Sequence, residues 1–298
     1  MRITWILLGA AALTLSAQTP PAAQTPPGPP KGFGPPMASA ELAKQPQTKG
    51  AKGDQERHYY FEAAEQEMPY RLIVPQKYDG KTKMPLVVAL HGYGGNQDYF
   101  SGQVKSLPEL CEEYGFIFVA PMGYSIGGWY GAPLSIPGSL PRSNDKKGKQ
   151  PPPSTQTPEE AQRERQLSET DVMNVLDLVS KEYKIDAQRI YLMGHSMGGM
   201  GAYFLGQKYA DKWAAVAPMS GTMANVDYHL DRLAKVPILV SVGSTETATA
   251  ENARAQIETM KKMGMTTSYV EIDGGTHMSM IPPTVPQIFA FFSTQKKK

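Results

Sequence analysis

The sequence predicts an α/β domain: a mostly parallel, twisted sheet with helices on both faces. Three observations carry this. From residue 84 onward, short apolar runs alternate with longer helix-like runs, the rhythm of strand and crossover helix. The apolar runs are continuous rather than alternating, Met84–Leu90 most clearly, and that is how strands covered on both faces read. One such run, beginning at Arg189, closes on Gly194-His195-Ser196-Met197-Gly198, and a helix-like run continues from Met197 to Tyr209.

Taken in order, His58–Ala63 and Tyr70–Val74 read as two strands around the turn Glu65-Gln66-Glu67. They form an antiparallel hairpin at the sheet edge. Met84–Leu90 is a buried strand, and it leads into His91-Gly92-Tyr93-Gly94-Gly95-Asn96. Asp98–Tyr114 is a helix and Phe116–Ala120 a further buried strand. Ser168–Tyr183 reads as a helix with a capping box at Ser168 and Asp171. After the central strand–turn–helix come strands Ala214–Met219 and Val236–Val242, helix Glu251–Gly264, strand Thr267–Ile272 and helix Val285–Ser293.

The remaining segments do not follow this rhythm. Met1-Arg2 followed by the apolar run Ile3–Leu15 reads as a cleavable export signal over 1–17. Residues 18–54, rich in Pro, Ala, Gly, Gln and Thr, read as a disordered or extended linker. The catalytic domain is expected over 55–298. Residues 123–166, with many Pro and Gly, read as an insertion, part of which lines the site. A single cysteine, Cys111, excludes an intrachain disulfide framework. A net charge of +2 leaves no electrostatic footprint for nucleic acid. No stable membrane anchor is expected, and the oligomeric state is not legible.

The segment Gly194-x-Ser196-x-Gly198 is the pattern of a nucleophile elbow in the strand–turn–helix context it requires. A serine hydroxyl is a poor nucleophile, so it needs a base, a group that orients the base, and donors for the oxyanion. His277, in Gly274-Gly275-Thr276-His277, follows the last predicted core strand and is the expected base. Glu246 is the first carboxylate after the strand Val236–Val242 and is the expected acid, with Glu251 and Asp273 as rivals. The oxyanion donors are expected at the N–H groups of Met197, next to the nucleophile, and Tyr93, in the Gly-rich loop after Met84–Leu90. His91 and His195 read as packing and loop-ordering residues. Trp129 and Tyr130 are expected as aromatic walls of the substrate site. No metal-ligand spacing occurs, and no cofactor is expected.

The segments His91–Gly95, Asp186–Gly199 and Trp213–Gly221 resemble secreted α/β-hydrolase-fold esterases of the polyhydroxybutyrate depolymerase and feruloyl esterase type. They also look like the catalytic domains of prolyl-oligopeptidase-related hydrolases. The resemblance spans about residues 55 to 295. It implies a Ser-acid-His triad on Ser196, Glu246 and His277, with oxyanion donors Tyr93 and Met197. The expected substrate is a small-molecule or polymeric ester. The acid in such enzymes is more often Asp, so Glu246 departs from the pattern. Two alternatives stand beside the esterase reading: a prolyl-oligopeptidase-like serine peptidase, and a non-catalytic binding protein on the same fold.

Overall fold

The computed structural model describes residues 31–133, 156–221 and 229–297. Eight strands form one sheet: β1 (Gly53–Phe61), β2 (Gln66–Val74), β3 (Met84–Leu90), β4 (Ile117–Pro121), β5 (Ile185–His195), β6 (Ala215–Met219), β7 (Ile238–Gly243) and β8 (Thr267–Ile272). Their spatial order is β1-β2-β4-β3-β5-β6-β7-β8. From β4 to β8 every neighbouring pair is parallel. The hairpin β1–β2 adds antiparallel strands at one edge. Strand order reverses between β3 and β5, and a crevice at such a switch point, outside the carboxyl ends of the strands, is where α/β sheets bind ligands.

The continuous apolar runs have a direct cause. In β3, Leu86, Val88 and Leu90 point into one core cluster while Val87 and Ala89 point into the other. Ile117 and Val119 of β4 likewise face the first cluster, and Phe118 and Ala120 the second. The first face is covered by α4 (Pro158–Glu182), α5 (Met197–Lys208), α6 (Leu230–Leu233) and α7 (Thr247–Lys262). The second is covered by α2 (Tyr99–Gln103), α3 (Leu107–Tyr114) and α8 (Ile281–Ser293). A strand buried on both faces has no use for polar side chains, so period two disappears from the sequence.

Three departures from expectation have identifiable reasons. The helix expected over Asp98–Tyr114 is two helices, broken at Val104, which is extended (φ −118, ψ 90). Pro108, at the start of α3, lacks an N–H, and its ring clashes with a helical carbonyl four residues earlier, at Val104. The helix expected to start at Ser168 starts ten residues earlier, at Pro158, inside the predicted insertion. The capping box is Thr157 with Glu160: the Glu160 N–H donates to Thr157 Oγ1 (3.2 Å) and the Thr157 N–H to Glu160 Oε2 (2.7 Å). Ser168 and Asp171 instead sit fully buried on the inner face of α4.

The third departure concerns the N-terminal segment. Residues 31–54 do not form a free linker. They carry α1 (Ser39–Leu42), and Phe33 bridges Gly95. Ser39 Oγ accepts from the Glu67 N–H (2.7 Å), and Gln47 Oε1 accepts from Arg57 Nε and the His58 N–H, both at 3.0 Å. β1 begins at Gly53, ahead of the expected domain boundary. The predicted signal over 1–17 and residues 134–155 of the predicted insertion lie outside the described residues.

α8 is anchored by aromatic packing. The rings of Tyr191 on β5 and Phe292 stack with centroids 4.6 Å apart and planes 7° from parallel, both fully buried. Replacing Phe292→Ala should lower the unfolding free energy by about 3–5 kcal/mol in urea denaturation. A loss under about 1 kcal/mol would contradict this packing account.

Candidate active site

Parallel strands deliver their carboxyl ends to one edge. Ser196 follows β5, Ser220 follows β6, Glu246 lies three residues past β7, and His277 lies on the loop after β8. Side chains far apart in sequence therefore share one side of the sheet.

Ser196 has φ 57 and ψ −115, a conformation that L-residues rarely hold. The turn is fixed at both ends. Its N–H donates to Met219 O (2.8 Å), and its carbonyl accepts from the Met200 N–H (3.0 Å). The flanking glycines are required by space. A Cβ on Gly198 would stand 2.0 Å from the Leu90 carbonyl oxygen, and one on Gly194 would stand 2.2 Å from the Gly198 oxygen. Both obstacles are backbone atoms and cannot swing aside.

α5 starts at Met197, so the Met197 N–H lies in the first helical turn, where N–H groups have no intrahelical acceptor. The loop after β3 folds as a turn, with the Gly95 N–H donating to Gly92 O (2.9 Å) and Gly94 at φ +78. Tyr93 occupies that turn with its side chain exposed, and its N–H donates to no acceptor among the described residues. Two N–H groups in these places can serve an anion.

His277 Nδ1 donates to Glu246 Oε2 at 2.5 Å. The other carboxylate oxygen accepts from Ser220 Oγ (2.6 Å) and from the Gly243 N–H (3.2 Å). Burial pushes the Glu246 carboxyl up, but the hydrogen bonds from His277 and Ser220 outweigh it and hold the group below the ordinary glutamate range. Among the rivals, Glu251 lies within α7 and Asp273 is exposed in the turn after β8. It is Glu246 that contacts the imidazole. Ser196 Oγ and His277 Nε2 form no hydrogen bond with any described residue, an openness usual where such contacts tighten only around a substrate.

His195 lies beneath His277. It is fully buried, with the two rings 4.6 Å apart, and its Nε2 lies 2.7 Å from the His277 carbonyl oxygen. A carbonyl can only accept, so Nε2 carries the proton. Nδ1 is then the acceptor for the Tyr99 hydroxyl, 2.8 Å away. Burial, and after it the neighbouring His277, push the His195 ring down to about 3. It is a fixed neutral donor and not a base. His91 is similarly buried, with ring nitrogens 2.8 Å from Gly92 O and 2.7 Å from Met122 O.

The two expected aromatic walls part company. Trp129 is half-buried beside Tyr93, with ring centroids 6.3 Å apart. Tyr130 is fully buried, which corrects its expected role: its hydroxyl donates to His91 O (3.0 Å) and its N–H to Ser168 Oγ (3.1 Å). Trp129 and Tyr130 both hold positive φ (56 and 54), and this left-handed turn carries consecutive side chains into different surroundings. The loop preceding them is held by Asp171, whose carboxylate accepts from the N–H groups of Gly123 (2.6 Å) and Tyr124 (3.1 Å) and from Tyr59 Oη (2.7 Å). Burial pushes Asp171 up to about 6 against those donors.

The sequence offers no role for Ser220 or Tyr99, and it offers Asp171 only as a helix cap. Ser220 had a signal in its position directly after an apolar strand; Tyr99 and Asp171 had none, since each acts across more than forty residues of chain. Among the described residues, no three His, Cys, Asp or Glu side chains converge to hold a metal ion.

Comparison with known proteins adds independent findings. The model of the Esterase family, described as "Putative esterase", matches residues 62–280. A feruloyl esterase B of Neurospora crassa is 28% identical over 151 residues, half of this chain and 42% of that protein. A bifunctional acetylxylan esterase/xylanase of Neocallimastix patriciarum is 50% identical over 50 residues, 17% of this chain and 8% of that protein. The matched part thus spans less than half of these curated relatives. Among solved structures, a thermostable esterase aligns with TM-score 0.59 and 23% identity over 82% of this chain and 63% of its own. A ferulic acid esterase of Anaeromyces mucronatus aligns with TM-score 0.57 and 16% identity over 84% and 93%. At these identities the structures speak for the fold.

The neutral His195 makes stability depend on pH. Its folded pKa lies below that of the unfolded chain, so the unfolded state gains a proton first as pH falls below about 6.5. Stability is retained above that value and lost progressively toward the folded pKa of about 3. Between pH 7 and pH 5 the wild type should lose about 2 kcal/mol more than His195→Gln in urea denaturation. Equal losses would contradict a buried neutral ring.

Proposed function

Because the chain belongs to the Esterase family and has the α/β-hydrolase fold, we propose that it is a serine hydrolase that cleaves carboxylic esters through an acyl-enzyme. Ser196 attacks the ester carbonyl carbon. His277 accepts the Ser196 proton at Nε2 and returns it to the leaving alcohol. Glu246 holds the proton on Nδ1, so that Nε2 is free to accept, and stabilises the ring once it is charged. The N–H groups of Met197 and Tyr93 bind the oxyanion. Water, deprotonated by His277, then releases the acid and restores Ser196.

The observation that carries this reading is the pairing of His277 Nδ1 with Glu246 Oε2 at 2.5 Å, on loops that follow β8 and β7 at the sheet edge where the strained Ser196 follows β5. A carboxylate held ionised against an imidazole, next to a serine on an elbow, supports general-base activation of that serine. Tyr93 and Trp129 offer aromatic surface beside the elbow. This favours an aryl ester, free or attached to a polymer, in keeping with the feruloyl esterases among the relatives. Export follows from the residues of 1–17 alone. Among the described residues no helix is long and apolar enough to cross a membrane.

Ser196→Ala should reduce p-nitrophenyl acetate turnover to background; turnover equal to wild type would end the proposal. A peptide p-nitroanilide in a parallel assay should be a poor substrate, and faster amide than ester cleavage would favour a peptidase instead. Glu246→Gln should lower kcat by about 10³ to 10⁴, whereas Glu251→Gln and Asp273→Asn should stay within about twofold of wild type. A large loss in Asp273→Asn with little in Glu246→Gln would reassign the acid.

A further inference from the structure

The N-terminal segment makes a contact that bears on the oxyanion loop. Phe33 pairs with Gly95 as an antiparallel bridge. The Gly34 N–H donates to Gly94 O (2.8 Å), and the Asn96 N–H donates to Gly32 O (3.1 Å). The Asn96 side-chain amide donates to Gly34 O (3.3 Å), and the Phe33 ring stands edge-on to Tyr99 with centroids 5.2 Å apart. The seat is tight. A Cβ on Gly32 would stand 2.7 Å from Tyr99 Cα, and one on Gly102 would stand 2.5 Å from Lys31 O.

The opposite side of the loop is held as well, since the Gly94 N–H donates to Ile126 O (2.8 Å). The turn Gly92-Tyr93-Gly94-Gly95 therefore has both peptide groups that follow Tyr93 pinned from outside. A loop of three glycines and one aromatic residue has little stiffness of its own, because glycine leaves most of the backbone map open. The peptide that carries the Tyr93 N–H is held through Gly92 O, which accepts from the Gly95 N–H (2.9 Å) and lies 2.8 Å from His91 Nδ1, and the two clamps fix where Gly94 and Gly95 stand to make that bond.

We propose that Lys31–Gly34 is a brace for the oxyanion loop, with Phe33 a positioning residue that aims the Tyr93 N–H at the developing negative charge. This rests on the reading of Ser196 and Tyr93 given above. The brace makes no hydrogen bond or ring contact with His277 or Glu246, and Phe33 reaches His277 only at its backbone, by way of Tyr99 and His195. Its loss therefore lowers transition-state binding while leaving the base and the ground-state binding of ester unchanged.

Two variants test this without altering the sheet domain. Phe33→Ala removes the wedge on Tyr99. Gly34→Pro removes the N–H that binds Gly94 O, and its ring cannot adopt the φ of +92 found there. With thermal melting confirming a folded domain, either variant should lower kcat on p-nitrophenyl acetate by about tenfold with KM within about twofold. The inhibition constant of phenylboronic acid, whose tetrahedral adduct places an oxygen in the oxyanion site, should rise by a similar factor. Phe33→Leu should recover most of the loss, and the acid limb of the pH–rate profile should not move. Wild-type kcat and boronate affinity in both folded variants would overturn the brace, as would a rise in KM at unchanged kcat. A wild-type protein that phenylboronic acid does not inhibit would overturn the hydrolase reading and the brace with it.

Discussion

The contact between the carbonyl oxygen of Leu90 and the bare Cα of Gly198 is the constraint on which the site depends. It lets the start of α5, with the first-turn N–H of Met197, lie against the end of β3, from which the loop carrying Tyr93 departs. It also forces the chain between β5 and α5 into a turn so tight that Ser196 has φ 57. A non-glycine residue in such a conformation costs on the order of 1–3 kcal/mol and persists only where its surroundings over-determine it. They do so here through the backbone bonds to Met219 and Met200 and through close packing at Gly194 and Gly198. A methyl group at position 198 would have to displace β3 or α5.

From that turn outward, order is transmitted by hydrogen bonds whose direction is fixed by chemistry. Tyr99 donates to His195, His195 donates to the backbone of His277, His277 donates to Glu246, and Ser220 donates to the far oxygen of the same carboxylate. Each link leaves one arrangement of protons. His195 is locked as a neutral donor to the His277 backbone, and the Glu246 carboxylate, which can only accept, keeps the His277 proton on Nδ1 and leaves Nε2 on the other side of the ring. The second ordering system, made by the brace, the Gly-rich loop and the segment held by Asp171, acts on backbone donors instead.

Much of this was legible in the sequence, and the limits follow physical lines. The parallel sheet showed because burial on both faces erases polar residues from β3, β4 and β6. The elbow showed because its glycines are demanded by sterics at fixed spacing. Glu246 and His277 could be named from their positions after strand ends, since parallel strands must end on one side. The start of α4 was missed because Ser168 and Asp171 carry capping chemistry, yet they serve Tyr130 and the Gly123–Tyr124 backbone. Tyr130 was misread as a wall because its neighbour Trp129 shares its composition but not its burial. Residues 31–54 read as linker because their contacts are made by backbone groups and by a few scattered side chains, Phe33, Ser39 and Gln47, and a Pro- and Gly-rich composition does not reveal where these will bond.

The central claim is that a single hydroxyl, raised on a strained turn beside an oriented imidazole, is the nucleophile. It is tested most directly by treating the full chain with a fluorophosphonate and mapping the adduct by peptide mass spectrometry. The account predicts one stoichiometric adduct, on the peptide containing Ser196 and on that side chain. An unmodified protein, or an adduct on any other residue, would contradict it.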